Sequence, residues 1–326
     1  MNRVQKILGI VAICVCGMLA GCNGASDTAV TMIGSGPTGF MIKTMTRGNR
    51  TRQYALFVPA GYEPALSRSY PVLIFLHGVG EGGNDPRACL RVGLGPIVAA
   101  QSGEFPFFVI FPQSESGSWD ENSPAVLDVI TELDDVAKTY RVDLDRVSLT
   151  GVSTGGYGCY AVAAAFHDRI ASIAPMATSS DPGKFASGLT HLPVRAYHNA
   201  GDVFAASWND SGTVDKIKAL GGNAAYMEFD AQGHDCWEQA YGDGELFVWF
   251  QQQRRRITPE MQAQRDAAQR QKQQLALAQK EADERSKHDA MVQEQLNQFK
   301  VERVQAANQK VLPLLRFDPD VLHSNP

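Results

Sequence analysis

The chain of 326 residues is long enough for one large domain or two small ones, and 44% hydrophobic with 9% aromatic content is ordinary for a packed core. A formal net charge of −5 argues against nucleic acid as a partner.

Arg3 and Lys6 precede an apolar run, Ile7 to Ala20, too short to span a bilayer comfortably and ordered charged-then-apolar as in a secretory signal. The run ends Leu19-Ala20-Gly21-Cys22, which resembles a bacterial lipobox. The resemblance implies that residues 1–21 are a signal peptide and that Cys22 carries lipid as the mature N-terminus; the alternative is an uncleaved anchor helix. Asn23 is not the aspartate associated with inner-membrane retention, which favours the periplasmic side of the outer membrane. Cys14 and Cys16 would leave with the signal. The remaining Cys89, Cys159 and Cys236, odd in number and without close pairing, argue against a disulfide framework or a zinc site, although one bridge stays open.

Residues 23–39 are small, polar and glycine-rich, as in a tether. Gly34, Gly36 and Gly39 have dinucleotide-fingerprint spacing, but Pro37 lies inside, no strand precedes and no helix follows, so that site is rejected. Phe40 to Thr46 and Gln53 to Pro59 read as a hairpin about the turn at residues 47–50. Tyr70 to His77 and Phe107 to Phe111 are continuous apolar runs of the kind found in strands buried on both faces. Ala88 to Ala100 is expected to be helical, and so is Asp128 to Tyr140, with Pro124 near its start. Arg146 to Thr150 is a strand, followed by a helical Tyr157 to Phe166. Ile170 to Met176, Val194 to Tyr197 and Ala225 to Phe229 are further strands, with helices at Thr213 to Leu220 and Cys236 to Phe250. Strands alternating with helices predict an α/β domain over 40–256, its sheet mostly parallel and covered on both faces.

After Arg256 the composition turns to Gln, Ala, Lys, Arg and Glu, without glycine up to Pro313. Thr258-Pro259-Glu260 is a helix start, and a continuous helix from there would be about 80 Å long at roughly 1.5 Å per residue. Its apolar stripe is thin: Met261, Leu275, Ala278, Ala282, Val292, Leu296 and Phe299. Three readings of 257–326 stay open: a coiled coil that self-associates, a solvated single helix, and a partly disordered tail. Residues 254–310 carry 12 Lys and Arg against 8 Asp and Glu, an excess that could touch anionic envelope polymers.

Gly151-Val152-Ser153-Thr154-Gly155, between a strand and a helix, is a nucleophile elbow in its required setting. So tight a turn presses its neighbours together, so only glycine fits at 151 and 155, and it exposes Ser153 Oγ at a helix N-terminus. A serine needs a base and an orienting acid, found in the order Ser, acid, His at the ends of strands in α/β-hydrolases. Downstream, Asp202 follows one strand and His234 another. His234 is the candidate general base and Asp202 the candidate acid, with Asp210 and Asp235 as rivals; Asp235, adjacent to the base, is badly placed to reach its ring. The oxyanion donors would be the N–H groups of Thr154 and of Val79 in the loop after Tyr70 to His77, with Asn84 and Asp85 as support.

His77-Gly78-Val79-Gly80-Glu81-Gly82-Gly83-Asn84-Asp85 resembles the HGxGExGxD segment of secreted bacterial α/β-hydrolases called predicted peptidases, carboxylesterases and polyhydroxybutyrate-depolymerase-like or feruloyl-type esterases. The similarity continues through Pro112-Gln113 to Trp119, residues 151–158, residues 233–241, Glu245-Leu246 and Trp249, covering roughly 40–254. That family usually has Asp-x-x-Val after the acid strand, whereas Asp202 is followed by Val203, Phe204 and Ala205. The resemblance implies a support role for His77 beneath the oxyanion loop rather than metal binding with His198 and His234. It implies that Trp119 lines the acyl or alcohol pocket, where the residue alone would read as packing; Trp237 reads as core. The expectation is a lipid-anchored envelope serine hydrolase that cleaves a carboxylic ester through an acyl-enzyme, without a cofactor. Two readings stand beside it: a peptidase resembling the prolyl oligopeptidase catalytic domain, and a non-catalytic envelope protein working through its tail.

Overall fold

The computed structural model describes residues 32–34, 36–257 and 259–311. The signal peptide, Cys22 and most of the tether lie outside the described residues. The chain divides between Arg256 and Ile257 into two compact units.

In the first unit one sheet is formed by β1 (Gly39–Arg47), β2 (Arg50–Val58), β3 (Tyr70–Leu76), β4 (Phe108–Phe111), β5 (Val142–Val152), β6 (Ser172–Met176), β7 (Val194–Gly201) and β8 (Ala224–Gln232). Their order across the sheet is β1-β2-β4-β3-β5-β6-β7-β8. β2 pairs antiparallel with β1 and with β4, and every other pairing is parallel. All of β3 is buried, and the two-residue period of a strand sends alternate side chains to opposite faces. Val72, Ile74 and Leu76 join one core, with α2 (Pro124–Thr139), α3 (Thr154–Ala165) and α4 (Trp208–Ala219). Leu73 and Phe75 join the other, with α1 (Leu94–Ala100), α5 (Cys236–Gly242) and α6 (Glu245–Gln252). The expected mostly parallel sheet with two helical faces is what the chain forms.

Several boundaries differ from expectation. The helix expected over 88–100 is a 3-10 turn, Ala88–Leu90, then α1; Gly93 between them has φ +60, and a Cβ there would lie 2.6 Å from Phe75 Cζ. The single helix expected over 236–250 is two, broken at Gly244 with φ +76, and Asp243 Oδ1 caps the second by accepting from Glu245 N. α2 begins at Pro124, where Ser123 Oγ accepts from Ala125 N. α4 begins at Trp208 because its first turn buries polar Asn209 and Asp210, which hydrophobic spacing does not register. β7 runs on to Gly201, so His198 and Asn199 are strand residues.

The second unit contains α7 (Pro259–Val311), 53 residues long. Among the described residues no helix is long and apolar enough to cross a membrane.

What positions the centre of the first unit is the β5–α3 turn. Ser153 has φ 57 and ψ −117, a conformation strained for a residue with a Cβ. A Cβ on Gly155 would lie 2.0 Å from Leu76 O, and one on Gly151 2.7 Å from that oxygen. Gly158 is equally constrained, since its Cβ would lie 2.5 Å from Trp119 Cβ. Beside the turn, fully buried His77 fastens the loop after β3 to the chain after β4. Its Nδ1–H donates to Gly78 O at 2.7 Å, and its Nε2 accepts from Ser114 N at 3.0 Å. These partners fit only the neutral ring protonated on Nδ1, and burial pushes the pKa down to about 4, against a partial offset from Gly78 O. Trp119 Nε1–H donates to His77 O at 2.9 Å.

Two expectations follow from this packing. Gly155→Ala drives a methyl into backbone and should cost about 3 kcal/mol or more in urea unfolding, whereas Gly80→Ala, with nothing within 4 Å of the new Cβ, should stay within about 0.5 kcal/mol. His77 takes a proton in the unfolded chain below about 6.5 but not in the folded chain until about 4, so stability falls as pH drops through that window. The loss attributable to His77 is about 3 kcal/mol at full protonation of the unfolded ring. His77→Asn keeps the donor to Gly78 O and should flatten the pH dependence of the urea midpoint between pH 7 and 4; an unchanged slope would refute this assignment.

Candidate active site

The parallel strands share a direction, so the turns after β3, β5, β7 and β8 leave the same edge of the sheet. Register brings them level: Leu76 pairs with Gly151, Val152 with Met176, and Gly201 with Gln232. Val79, Ser153, Asp202 and His234 each follow within a few residues of those strand ends.

The Ser153 backbone is tied on both sides, its N–H donating to Met176 O at 2.9 Å and its carbonyl accepting from Ser179 N at 3.2 Å. Its Oγ has no hydrogen-bond partner among the described residues. The N–H of Thr154, first in α3, is one of the donors that a helix start leaves without an intrahelical acceptor, and the N–H of Val79 likewise has no acceptor among the described residues. Thr154 Oγ1 donates to Gly117 O at 2.8 Å, and a Cβ on Gly117 would lie 2.8 Å from Val79 O, so Gly117 packs between the Thr154 side chain and the Val79 backbone.

Sequence reasoning assigned no role to two residues that hold this loop. Gln113 Nε2 donates to Glu81 O at 2.7 Å and to Gly83 O at 3.2 Å, clamping the turn from behind. Glu81 Oε2 lies 3.2 Å from the point where a Cβ on Gly78 would project, and Ser153 Cβ lies 3.6 Å from the same point. Burial raises the Glu81 pKa against the N–H groups of Gly78 and Glu81 itself, so an acid of weakened acidity borders the serine. Both belong to motifs visible in the sequence, which is the signal that marks them. Asn84 Oδ1 accepts from Arg52, and Asp85 Oδ1 accepts from Arg87 N, so each steadies the outer part of the loop.

Among the three acids weighed, Asp202 meets the histidine. Its Oδ2 accepts from His234 Nδ1 at 2.7 Å, while Oδ1 accepts from Phe204 N at 2.8 Å and Ala205 N at 3.0 Å. The Asp202 side chain is fully buried and that of His234 is 22% exposed. Burial pushes the Asp202 pKa up, but the His234 hydrogen bond and the two backbone donors outweigh it and hold the carboxyl below its ordinary range. With Nδ1 donating, His234 Nε2 keeps its lone pair. Asn199 Nδ2 donates to Gly233 O at 3.1 Å and so holds the loop that carries the ring. Asp210 instead accepts from His198 Nδ1 at 2.8 Å, and Asp235 is exposed.

Of the two tryptophans, one departs from its expected place. Trp119, expected to line the pocket, is 1% exposed, because its indole is used on His77 O and its ring packs edge-on to His77. Trp237, expected in the core, packs against the α1–α5–α6 core while half-buried, its ring edge-on to His234 at 5.5 Å. Phe204 flanks the same ring at 5.9 Å and is 80% exposed. Among the described residues no group of His, Cys, Asp and Glu is placed to hold a metal ion, and Cys89, Cys159 and Cys236 are buried free thiols.

No protein-family model matches the sequence. A bifunctional acetylxylan esterase/xylanase from Neocallimastix patriciarum is 28% identical over 141 residues, which are 42% of this chain and 20% of that protein. The crystal structure of a thermostable esterase superposes with a TM-score of 0.60 at 25% identity, covering 66% of this chain and 63% of that one. An acylaminoacyl peptidase superposes with a TM-score of 0.52 at 13% identity, over 67% of this chain and 42% of that one. The chain thus spans about a fifth of the curated relative and under two thirds of the esterase structure. Strand order, the strained serine turn and these neighbours together identify the α/β-hydrolase fold.

Proposed function

We propose that the chain is a serine hydrolase that cleaves a carboxylic ester through an acyl-enzyme. The observation that carries this reading is the buried Asp202 hydrogen-bonded to His234 Nδ1, on the sheet edge from which Ser153 is raised in a strained backbone. His234 Nε2 takes the Ser153 proton as Oγ adds to the ester carbonyl. The oxyanion forms against the N–H groups of Val79 and Thr154, each worth about 10²–10³ in rate. His234 then gives its proton to the leaving alcohol as the C–O bond breaks. In the second half His234 takes a proton from water as the water oxygen adds to the acyl carbonyl, and returns it to Ser153 Oγ as the acyl–Oγ bond breaks and the acid leaves. Because His234 serves the leaving oxygen, Phe204 and Trp237 beside its ring contact the alcohol half, which favours apolar or aromatic alcohols. The esterase relatives support the ester over the peptide bond; the peptidase likeness is one of fold.

The anchoring reading rests on the sequence alone. Lipidated Cys22 would hold the domain on the periplasmic side of the envelope, in the outer membrane, with the tail free to touch anionic polymers through its Lys and Arg residues or to meet a second copy.

A fluorophosphonate probe should label Ser153, and His234→Ala should abolish the label in a folded chain. Ser153→Ala should lower ester turnover by ~10⁴-fold or more and Asp202→Asn by a comparable factor. Phe204→Ala should raise KM for aryl esters several-fold with kcat little changed; labelling at another serine, or faster turnover of N-acyl peptides than of esters, would overturn the reading. Expressed in a diderm bacterium, the full chain should partition with membranes and incorporate labelled palmitate, and Cys22→Ser should release it; a membrane-bound, unlabelled Cys22→Ser chain would favour the uncleaved anchor.

A further inference from the structure

Asp202 has a second histidine. His198, on β7 four residues earlier, is completely buried. Its Nε2 lies 3.2 Å from Asp202 Oδ2 and donates to Ala205 O at 3.1 Å. Its Nδ1 lies 2.8 Å from Asp210 Oδ2. Asp202 Oδ2 thus stands between two imidazoles, His234 on the solvent side and His198 on the inner side.

Proton counting fixes the charge of the inner ring. Every atom facing a His198 nitrogen is a carbonyl or carboxylate oxygen. Asp210 is the poorer carrier of the proton, because three donors stabilise its carboxylate: its Oδ1 accepts from Tyr160 Oη at 3.0 Å and Thr178 Oγ1 at 2.7 Å, and its Oδ2 from Thr178 N at 3.0 Å. Asp202 is likewise occupied, by two backbone N–H groups and His234. A neutral His198 would turn one lone pair onto an oxygen lone pair in a site without water access. We infer that His198 is a buried imidazolium, clamped by Asp210, that shares the Asp202 carboxylate with His234 and so acts as a positioning residue for the acid. Burial alone would lower its pKa, but the Asp210 hydrogen bond and charge, the Ala205 carbonyl and the Asp202 charge outweigh that and raise it. The titratable groups that face this cluster are Asp202, Asp210, Tyr160, Cys159, Tyr226, Cys236 and, across Asp202, His234.

The consequence rests on the serine hydrolase reading: a fixed cation behind Asp202 keeps that carboxyl ionised at lower pH and caps the hydrogen bonding it can offer His234. The inferred charge itself does not rest on that reading. Nitrogen-15 NMR of the full chain labelled at histidine tests it, with the His198 ring assigned by through-space contacts to Ala205 and Asp210. Both ring nitrogens should stay protonated from pH 6 to 8, with two slowly exchanging N–H protons; a neutral ring at pH 7 overturns the inference whether or not the chain hydrolyses esters. With 4-nitrophenyl acetate as probe, His198→Gln should move the acid limb of kcat/KM up by about one pH unit and lower kcat at pH 6.5 by ~10-fold, KM holding within about twofold. A variant slowed equally at every pH, with the limb unmoved, would make His198 a packing residue only. If the unmutated chain leaves the ester intact, the hydrolase reading fails and the NMR result still decides the charge.

Discussion

The β5–α3 turn carries more of this structure than any other contact. Ser153 is held at positive φ only because the chain on either side is fixed: Gly155 rests against Leu76 O, Gly151 against the same carbonyl, and Gly156 against Met176 O. A strained residue costs of order 1–3 kcal/mol and persists where its surroundings over-determine it. Here they do so through backbone rather than side chains, so the strain cannot relax by a rotamer change. The close approach also draws the end of β3 up to the serine turn, and the loop that follows lies beside it, a Cβ on Gly78 being 3.6 Å from Ser153 Cβ.

A second layer of support is ionic, and its energetics run the other way. Buried charges are expensive, and a buried pair gains little over apolar packing unless every remaining site is filled. The Asp210–His198–Asp202 chain meets that condition, with each carboxylate oxygen receiving at least one donor and both imidazole nitrogens donating. Satisfied in this way, the cluster fixes β7, α4 and the acid loop relative to one another, a rigidity that apolar side chains of equal volume would not give with the same directionality. By contrast, Phe204 is exposed although its own N–H is locked onto Asp202 Oδ1. Backbone order and side-chain exposure are therefore separated at that residue.

The parts of this design that were legible in the sequence are those that a local backbone demand writes into residue type. The glycines around Ser153, the apolar runs of β3 and β4, and the order of serine, acid and histidine along alternating elements all belong to that class. The choice among Asp202, Asp210 and Asp235 was not local, since each is an acid near a strand end and only the β7–β8 register decides which one meets His234. His198 was hidden for another reason: its partners Asp202, Ala205 and Asp210 are close in sequence, but only the turn from β7 into α4 folds them back onto its ring. Helix breaks at Gly93 and Gly244 were missed because a glycine within a helical pattern costs only about 1 kcal/mol, too little to end a helix unaided. Packing against Phe75 decides the first break. Trp119 was misplaced because an aromatic residue beside a motif shows that something is packed, not in which direction.

The second unit obeys different physics. In α7 Leu275 is 65% exposed and Phe299 58%, so burial contributes little there. Its support is local: helix-favouring composition, no internal glycine, and spaced pairs such as Gln262 with Asp266, Gln279 with Asp283 and Lys280 with Glu284. Such pairs contribute about 0.2–0.5 kcal/mol each, and a long helix gains from its length because nucleation is met only once. A helix of this kind can form without a partner, and the thin stripe through Leu275, Ala278 and Ala282 is too small-sided to require one. Every residue of the candidate site lies before Arg256, so the two units answer to separate constraints, the first to the geometry of a strained serine and the second to solvent.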